Sequence, residues 1–208
     1  GGWLVAGKAA RDLLKGRLSS AGESAAQSVP FFLETGQSLV VQLASDPRMA
    51  QAEGSELTAL LSERIKAVPY FDQFIVLDAN TKNVLAIYPE ETRAGFRLYP
   101  EEDSGIFLAT QGALTQVYSI PSPGGSASSR MTFLAAIRQG DVVTRVLIGR
   151  TAIESNPLTI PLIESLDNIG DLEGAGILVD DANRIVYHSD EEQTSITYEG
   201  LRGPEPFF

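Results

Sequence analysis

One strand–turn–strand signature occurs twice in this chain, about one domain length apart. Residues 74–89 read FIVLDANTKNVLAIYP, and residues 176–189 read GILVDDANRIVYHS. In each copy, two apolar runs flank a polar turn that begins at an aspartate, Asp78 or Asp180. β-Branched and aromatic residues favour strands, and Asp and Asn favour turns because their side chains hydrogen-bond the nearby backbone. The repeat therefore predicts two β-hairpins that open two related modules in tandem.

The composition excludes several classes of function. The chain has 208 residues, which fits one large or two small domains, and 43% of them are hydrophobic, enough to bury a core. Its formal charge of −11 argues against nucleic acid as a partner, because phosphate binding requires a basic surface. The chain has no cysteine, so disulfides, cysteine-ligated metals and thiol catalysis are excluded.

The opening of the chain looks like part of a longer protein. No apolar run reaches the ~18–20 residues needed to cross a bilayer. The sequence nevertheless starts abruptly at Gly1-Gly2-Trp3, without a methionine. We expect an excised piece whose first residues are either the end of a removed membrane helix or the remnant of a tag.

Residues 3–68 are patterned mostly as helix. Apolar residues recur at helical spacing from Leu14 to Leu43. Pro30 is expected to kink or break this helix, and Asp46-Pro47 to end it, because the residue before a proline avoids the α conformation. A second helix is expected over residues 55–67. The long helix covers one face of a sheet, or it extends to pair with a second copy or reach a membrane anchor, and these interpretations are compatible.

The middle of the chain predicts a second strand pair after an irregular stretch. Residues 90–125 are rich in Pro, Gly and scattered aromatics, with one short helix expected over residues 100–111. Residues 131–150 read as a hairpin with a turn at residues 139–141, and both of its faces carry apolar groups. This pair is expected at the centre of a sheet that is covered on both sides. The first module would then have four strands.

The last quarter contains a helix start and the second signature hairpin. Asn156-Pro157 predicts a helix with Asn as the cap and Pro at the first position, followed by a body over residues 160–166. After the second hairpin the sequence becomes rich in Gly and Pro and stops at Phe208. The second module is therefore expected to be incomplete in this chain.

The order of these elements resembles the double Cache domains, which consist of two PAS-like modules behind a long helix. The resemblance is carried by residues 74–89, 132–150 and 177–190, together with the helix before Tyr70. It implies an α+β fold with antiparallel sheets and three regions. These are an N-terminal helical stalk (residues 1–69), a membrane-distal Cache module (residues 70–152), and a connecting helix with a partial membrane-proximal module (residues 153–208).

The resemblance also implies a function. Double Cache domains are extracytoplasmic, small-molecule sensing parts of bacterial transmembrane receptors, whose output is a histidine kinase, a cyclase, a phosphatase or a chemoreceptor module. It implies a ligand in the distal module between the sheet and the irregular stretch, a membrane anchor in the full-length protein, and a homodimer formed through the N-terminal helix. Many amino-acid-binding members carry an Arg-x-Trp-Tyr stretch there. This chain has Arg97-Leu98-Tyr99 instead, which counts against an amino-acid ligand.

Six residues are predicted to bind the ligand. Arg130 follows a loop at the start of a strand, where a guanidinium can grip a carboxylate with two hydrogen bonds. The alternative for Arg130 is a solvated strand end. Tyrosines offer an apolar wall with a hydroxyl tip, and core packing is their alternative role. The predicted set is Tyr88, Arg97, Tyr99, Tyr118, Arg130 and Thr132.

The sequence gives no basis for catalytic residues, a metal site or a cofactor. His188 is the only histidine and has no recognisable nucleophile motif to serve, so it is interpreted as a strand-end residue. Asp78 and Asp180 are interpreted as turn formers, and the run at residues 101–103 as solvated surface. An enzyme is disfavoured. The remaining alternative is a protein-interaction or dimerisation module without a small-molecule ligand.

Overall fold

The computed structural model describes residues 4–6, 19–122, 129–161, 163–164, 177–179 and 185–188. In chain order the elements are β1 (Leu4–Ala6), α1 (Ser19–Ala44), α2 (Pro47–Gln51), α3 (Gly54–Ala67), β2 (Gln73–Asp78), β3 (Val84–Tyr88), a 3₁₀ turn (Glu90–Thr92), α4 (Pro100–Thr110), β4 (Thr115–Pro121), β5 (Ser129–Gln139), β6 (Val142–Ala152), β7 (Ile177–Val179) and β8 (Ile185–His188).

The chain forms two compact units. We call Glu34–Ile120 with Met131–Thr151 the central unit, and Gly1–Leu33 with Pro121–Arg130 and Ala152–Phe208 the terminal unit. Each unit contains one of the two signature hairpins, in its own sheet. The two hairpins are therefore not woven into a single sheet.

The central unit is built on a five-stranded sheet in the order β3-β2-β6-β5-β4. Strand β2 pairs antiparallel with β3 and with β6, so that Ile75 lies opposite both Ile87 and Ile148. The first hairpin, the hairpin of β5 and β6, and the internal position of those two strands are confirmed. The expected count of four strands was wrong. Strand β4 lies in the stretch that was interpreted as irregular because of the Pro and Gly residues that follow it.

Side-chain alternation gives the sheet two covered faces. On one face, Ile75 and Leu77 form a buried core with Ile106 and Ala109 of α4. This is the face covered by the insertion, which we define as residues 90–114 between β3 and β4. On the other face, Phe74 and Phe133 belong to an aromatic cluster that they form with Tyr70 and Phe71.

Helix α1 packs closely on the aromatic cluster at one glycine. A Cβ atom at Gly36 would lie 2.4 Å from the ring of Phe133 and 2.6 Å from the hydroxyl of Tyr70. Only a residue without a side chain allows the helix backbone to approach the sheet this closely. Helix α1 therefore covers the sheet at this point, as the first of the two interpretations predicted.

The helix boundaries agree with the sequence except at Pro30. Helix α1 continues through Pro30, so the expected break is absent, and Val29 and Phe32 on either side of the proline are buried. The helix ends at Ala44, just before Asp46-Pro47, as predicted. The same dipeptide also begins the short helix α2, because the Asp46 carboxylate accepts the Arg48 amide N–H at 3.0 Å. None of the described helices is long and apolar enough to cross a bilayer.

In the terminal unit, the described strands form a sheet in the order β1-β7-β8. The hairpin of β7 and β8 confirms the second signature. Strand β1 was not predicted: Leu4–Ala6 pairs antiparallel with β7, where a helix or a frayed opening was expected. Its partner lies far away in the sequence, so the short apolar run that contains Leu4–Ala6 gave no local signal. Leu14, Leu18 and the Asp180 turn lie outside the described residues.

The predicted helix start in the terminal unit is confirmed at its cap. The side-chain oxygen of Asn156 accepts the amide N–H of Leu158 at 2.9 Å, and the Asn156 carbonyl accepts that of Ile160 at 3.1 Å. Residues 160–161 and 163–164 are helical, and the rest of the predicted body lies outside the described residues.

Candidate functional site

A fully buried carboxylate fixes the insertion to the sheet. Glu102 lies in the first turn of α4 and is 0% exposed. Its Oε1 accepts the backbone N–H of Tyr99 at 3.1 Å, which caps the start of the helix. The sequence interpretation of residues 101–103 as solvated surface was therefore wrong for Glu102. Helical geometry turns this residue inward between two outer acidic neighbours.

The partner of this carboxylate is a buried arginine of β6. Arg150 donates from Nε to Glu102 Oε2 at 2.9 Å and from a terminal nitrogen to Oε1 at 2.6 Å. Thr132 of β5 adds its hydroxyl, which donates to Oε2 at 2.7 Å. With the Tyr99 amide, each carboxylate oxygen thus accepts two hydrogen bonds. A buried charge pair is stable only with such complete hydrogen bonding.

The remaining donors and faces of the Arg150 guanidinium are also used. Its terminal nitrogens donate to the Gln73 side-chain oxygen at 3.2 Å and to the Arg97 carbonyl at 2.9 Å. The rings of Phe96 and Tyr99 lie 5.0 and 5.4 Å from the guanidinium carbon. Aromatic faces attract a cation, and more strongly where water is excluded. Arg150 therefore joins the sheet to residues 96–99, the part of the loop that leads into α4.

Three of the predicted ligand residues meet in this network. Thr132 binds Glu102, Tyr99 caps α4, and the Arg97 guanidinium lies over the Tyr99 ring at 5.0 Å. The side chain of Arg97 is exposed, so this cation is available at the surface of the insertion. The network thus combines a buried ion pair with an exposed cation and an aromatic wall between them.

The other three predicted residues lie elsewhere. Tyr118 of β4 is half-buried under α4, its hydroxyl donates to Gln116, and burial raises the pKa of its phenol. Tyr88 is paired with Phe74 on the opposite face, where Lys66 of α3 lies 5.9 Å from its ring. Arg130 is half-buried at the start of β5, in the terminal unit.

Sequence reasoning missed Glu102, Arg150 and Gln73. A signal for Arg150 and Gln73 was present in the strand alternation. Each lies two positions from a core residue of its own strand, Gln73 from Ile75 and Arg150 from Ile148, so its side chain is on the same buried face. The two residues are also direct neighbours across β2 and β6. The alternation of side chains along these apolar strands could therefore have predicted that Arg150 is buried. No such pattern was available for Glu102, because it required the position of α4 on the sheet.

The turn at Asp78 is built as the sequence predicted. The Asp78 carboxylate accepts the amide N–H groups of Thr81 at 2.8 Å and Asn80 at 2.9 Å. These hydrogen bonds, led by that from Thr81, lower the pKa of Asp78. In the part of the chain that the structure describes, no three acidic or histidine side chains form a group that could hold a metal ion.

Two cavities lie in the central unit away from the insertion. A cavity of about 250 Å³ lies between α1, α3 and β2, with both polar and apolar walls that include Gln42, Arg64 and Phe71. A polar, open one of about 500 Å³ is bordered by Asp78 and Arg145. Arg145 is itself committed to structure, because one of its terminal nitrogens donates to two backbone carbonyls around the end of α2, at 2.9 and 2.7 Å.

The sheet order, the covering insertion and the helix on the opposite face make an α+β architecture with the order of elements that the resemblance to Cache domains implied. No protein-family profile matches the chain, and no curated protein matches it. Solved structures of this fold do match, and all three described below are ligand-binding domains of chemoreceptors.

The first is the ligand-binding domain of the Pseudomonas aeruginosa PAO1 amino acid chemoreceptor PctC in complex with GABA, with a TM-score of 0.65, 18% identity, and coverage of 90% of this chain and 82% of that one. The Pseudomonas fluorescens chemoreceptor CtaA domain with L-isoleucine has a TM-score of 0.65 and 18% identity, covering 95% and 79%. The P. aeruginosa PctB domain with L-Gln has a TM-score of 0.60 and 19% identity, covering 88% and 72%. The chain shares their fold.

Proposed function

We propose that this chain is the extracytoplasmic small-molecule sensing domain of a transmembrane signalling receptor. The observation that carries the proposal is the structural match to the PctC domain, which extends over 90% of this chain and 82% of that domain. A likeness over nearly the whole of both chains supports a shared role more than a likeness of one sheet would. In this proposal the domain is not an enzyme and needs no cofactor, and its output is a kinase, cyclase, phosphatase or chemoreceptor module.

The ligand in this proposal lies between the sheet of the central unit and the insertion. Arg97 and Tyr99 are the first candidates, because an exposed guanidinium above an aromatic ring offers both charge and apolar contact. Tyr118 and Thr132 come from the strands below. Tyr88 is not part of this site, because its ring lies on the opposite face of the sheet, and Arg130 belongs to the terminal unit. Residues 70–152 would be the membrane-distal module, with residues 1–69 as the stalk and residues 153–208 as part of the membrane-proximal module.

Signalling in this proposal passes through the stalk helix. The full-length protein is membrane-anchored and forms a homodimer through its N-terminal helix. A ligand that binds one of two helix arrangements more tightly shifts the population toward it. The backbone of helix α1 at Gly36 packs against the Phe133 ring of β5, so a small movement of the sheet is passed to the helix through that ring.

The test is a thermal-shift screen followed by calorimetry. Amino acids come first because the three similar structures hold GABA, L-isoleucine and L-Gln, and organic acids, amines and sugars follow. At least one compound should stabilise the chain. Arg97→Ala should weaken its binding by about tenfold or more, as expected for loss of a charged hydrogen bond. Arg93→Ala, an exposed arginine of the same insertion, is the matched control and should leave binding unchanged. A screen without a stabilising compound would contradict the proposal.

A protein-interaction or dimerisation module is the second candidate, and one observation favours it. Phe107, Leu108 and Leu114 are 61%, 43% and 55% exposed around the end of α4. Apolar side chains grouped on a surface often mark a protein interface. If the screen finds no ligand, and Phe107→Ser with Leu108→Ser converts a dimer into a monomer in light scattering, this second function replaces the first.

A further inference from the structure

We propose that the pocket around Arg150 is a carboxylate-binding site that the chain fills with its own Glu102. Four donors converge on the Glu102 carboxylate at 2.6–3.1 Å: two from the Arg150 guanidinium, one from the Thr132 hydroxyl and one from the Tyr99 amide. These donors come from a helix start and from two different strands. Because separate elements position these donors, we interpret them as a binding site for a carboxylate group and not as chance contacts of the Glu102 side chain.

The site is specific for a carboxylate. All four groups around the two oxygens donate hydrogen bonds, so the occupant has to accept on both atoms. A neutral amide has an NH₂ group in place of one oxygen, and its N–H donors would face the pocket's own donors at that position. The two-pronged approach of Arg150 matches a planar carboxylate in shape as well as in charge.

The pocket is also formed by groups other than Glu102. The Arg150 guanidinium is fixed by the Gln73 oxygen and the Arg97 carbonyl, and it lies against the rings of Phe96 and Tyr99. Arg150 is only 3% exposed and Glu102 0%. The arginine is therefore preorganised by contacts that remain when the Glu102 carboxylate is removed.

One consequence concerns the ligand of the central unit, and it rests on the proposed function. With Glu102 in place, a ligand's carboxylate is not bound at Arg150. A carboxylate-bearing ligand has to use a different cation, such as exposed Arg97, and a ligand without a carboxylate loses nothing at this position. The selectivity of the domain is thus set partly by a group that the chain supplies to itself.

The test is chemical rescue of Glu102→Ala. This substitution removes a methylene and a carboxylate, the atoms of an acetate ion, from a closed pocket. The variant should melt below wild type, and sodium acetate at about ten times its dissociation constant should then raise its melting temperature by roughly 3–5 °C, saturably. If the variant is unfolded in sodium chloride, the same effect is read as acetate-dependent recovery of its circular dichroism spectrum. Adding Thr132→Val to this variant should weaken the acetate effect several-fold.

The controls separate site binding from a salt effect. Wild type and Asp103→Ala, which removes an exposed carboxylate of the same helical turn paired with Lys82, should gain nothing from acetate beyond sodium chloride at equal ionic strength. Acetamide, a neutral molecule of the same shape, should not rescue Glu102→Ala. An equal acetate shift in all three proteins, or rescue by acetamide, would overturn the proposal, as would the absence of any acetate effect on Glu102→Ala.

Glu102→Gln provides a measurement that does not depend on the alanine variant folding. The amide keeps the volume of the side chain, so this variant should fold, melt below wild type and gain nothing from acetate. A Glu102→Gln protein as stable as wild type would mean that the pocket does not require a carboxylate. None of these results depends on the ligand screen, so the proposed function can fail while this site stands, and the reverse.

Discussion

The polar network under the insertion can be tested with a pair of isosteric substitutions. Thr132→Val removes the hydroxyl that donates to Glu102 at 2.7 Å. Thr144→Val makes the same chemical change on the neighbouring strand β6, where the threonine hydroxyl is buried and has no hydrogen-bond partner among the described residues. Both substitutions keep the β-branched shape that suits a strand. The pair therefore differs mainly in the hydrogen bond.

The expected magnitudes have opposite signs. A hydrogen bond to a charged group contributes about 1.5–3 kcal/mol to stability, and Glu102 keeps its other donors in Thr132→Val, so a loss of roughly 2 kcal/mol is expected. Burial of an unpaired hydroxyl costs about 1–3 kcal/mol. Thr144 is half-buried, so its replacement by valine should gain roughly 0.5–1 kcal/mol. The two variants should differ by about 2.5–3 kcal/mol in the free energy of unfolding.

Urea denaturation followed by circular dichroism measures this difference. At a typical slope of about 2 kcal/mol per M, the midpoint of Thr132→Val should fall by roughly 1 M. Because the chain has two compact units, hydrogen exchange of the β5 and β6 amides should confirm that the change arises in the central unit. If both variants shift equally, or Thr132→Val costs nothing, the Glu102 carboxylate does not depend on this hydroxyl and the reasoning is refuted.

Three further predictions concern the scaffold. Gly36→Ala should lower stability by about 1–3 kcal/mol by overpacking, since its Cβ would lie 2.4 Å from an aromatic ring, whereas Gly95→Ala, with open space around it, should be neutral in thermal melts. The hydrogen bond from Arg48 is the main cause that lowers the pKa of Asp46 from 3.8 to about 2, so its contribution to stability should be present above pH 4 and lost as pH falls toward 2. Asp46→Asn should remove this loss of stability at low pH when the melting temperature is measured as a function of pH. A melting temperature that depends on pH as in the wild type would contradict this assignment. Arg145→Met should cost about 2–4 kcal/mol in denaturation because it leaves two backbone carbonyls at the end of α2 without their donor, and a neutral effect would show that they find other partners.

Much of this fold could be read from local sequence patterns. The hairpin around Asp78 was predictable because two apolar runs flank a polar turn. The Asp78 carboxylate accepts hydrogen bonds from the backbone of that turn, as expected for an aspartate there. Helix α3 was predictable from its apolar spacing and its stop before Pro69. Strand β1 was not, because its partner β7 is distant in the sequence, so long-range pairing and not propensity makes it a strand. Strand β4 lies next to β5, the following strand in the chain, but it was missed because the Pro and Gly residues after it made the whole stretch look irregular.

The site was harder to predict than the fold. Thr132, Tyr99 and Arg97 were identified by residue type, and the structure brings them together around Arg150. The buried ion pair of Glu102 and Arg150 was missed because, in the sequence alone, an acidic run and an arginine at the end of a strand are both typical of solvent-exposed positions. A charged side chain can be buried only when a partner from another element pairs with it, and local sequence spacing does not show which residues of different elements come together.

The central claim, that the central unit holds a small molecule beneath its insertion, is tested most directly by hydrogen-exchange mass spectrometry. The chain would be compared with and without a compound that stabilises it in the screen. We expect slower exchange in the loop of residues 93–99, in α4 and in the facing strand β5. Protection confined to the terminal unit, or to α1 and α3 on the opposite face of the sheet, would contradict the claim.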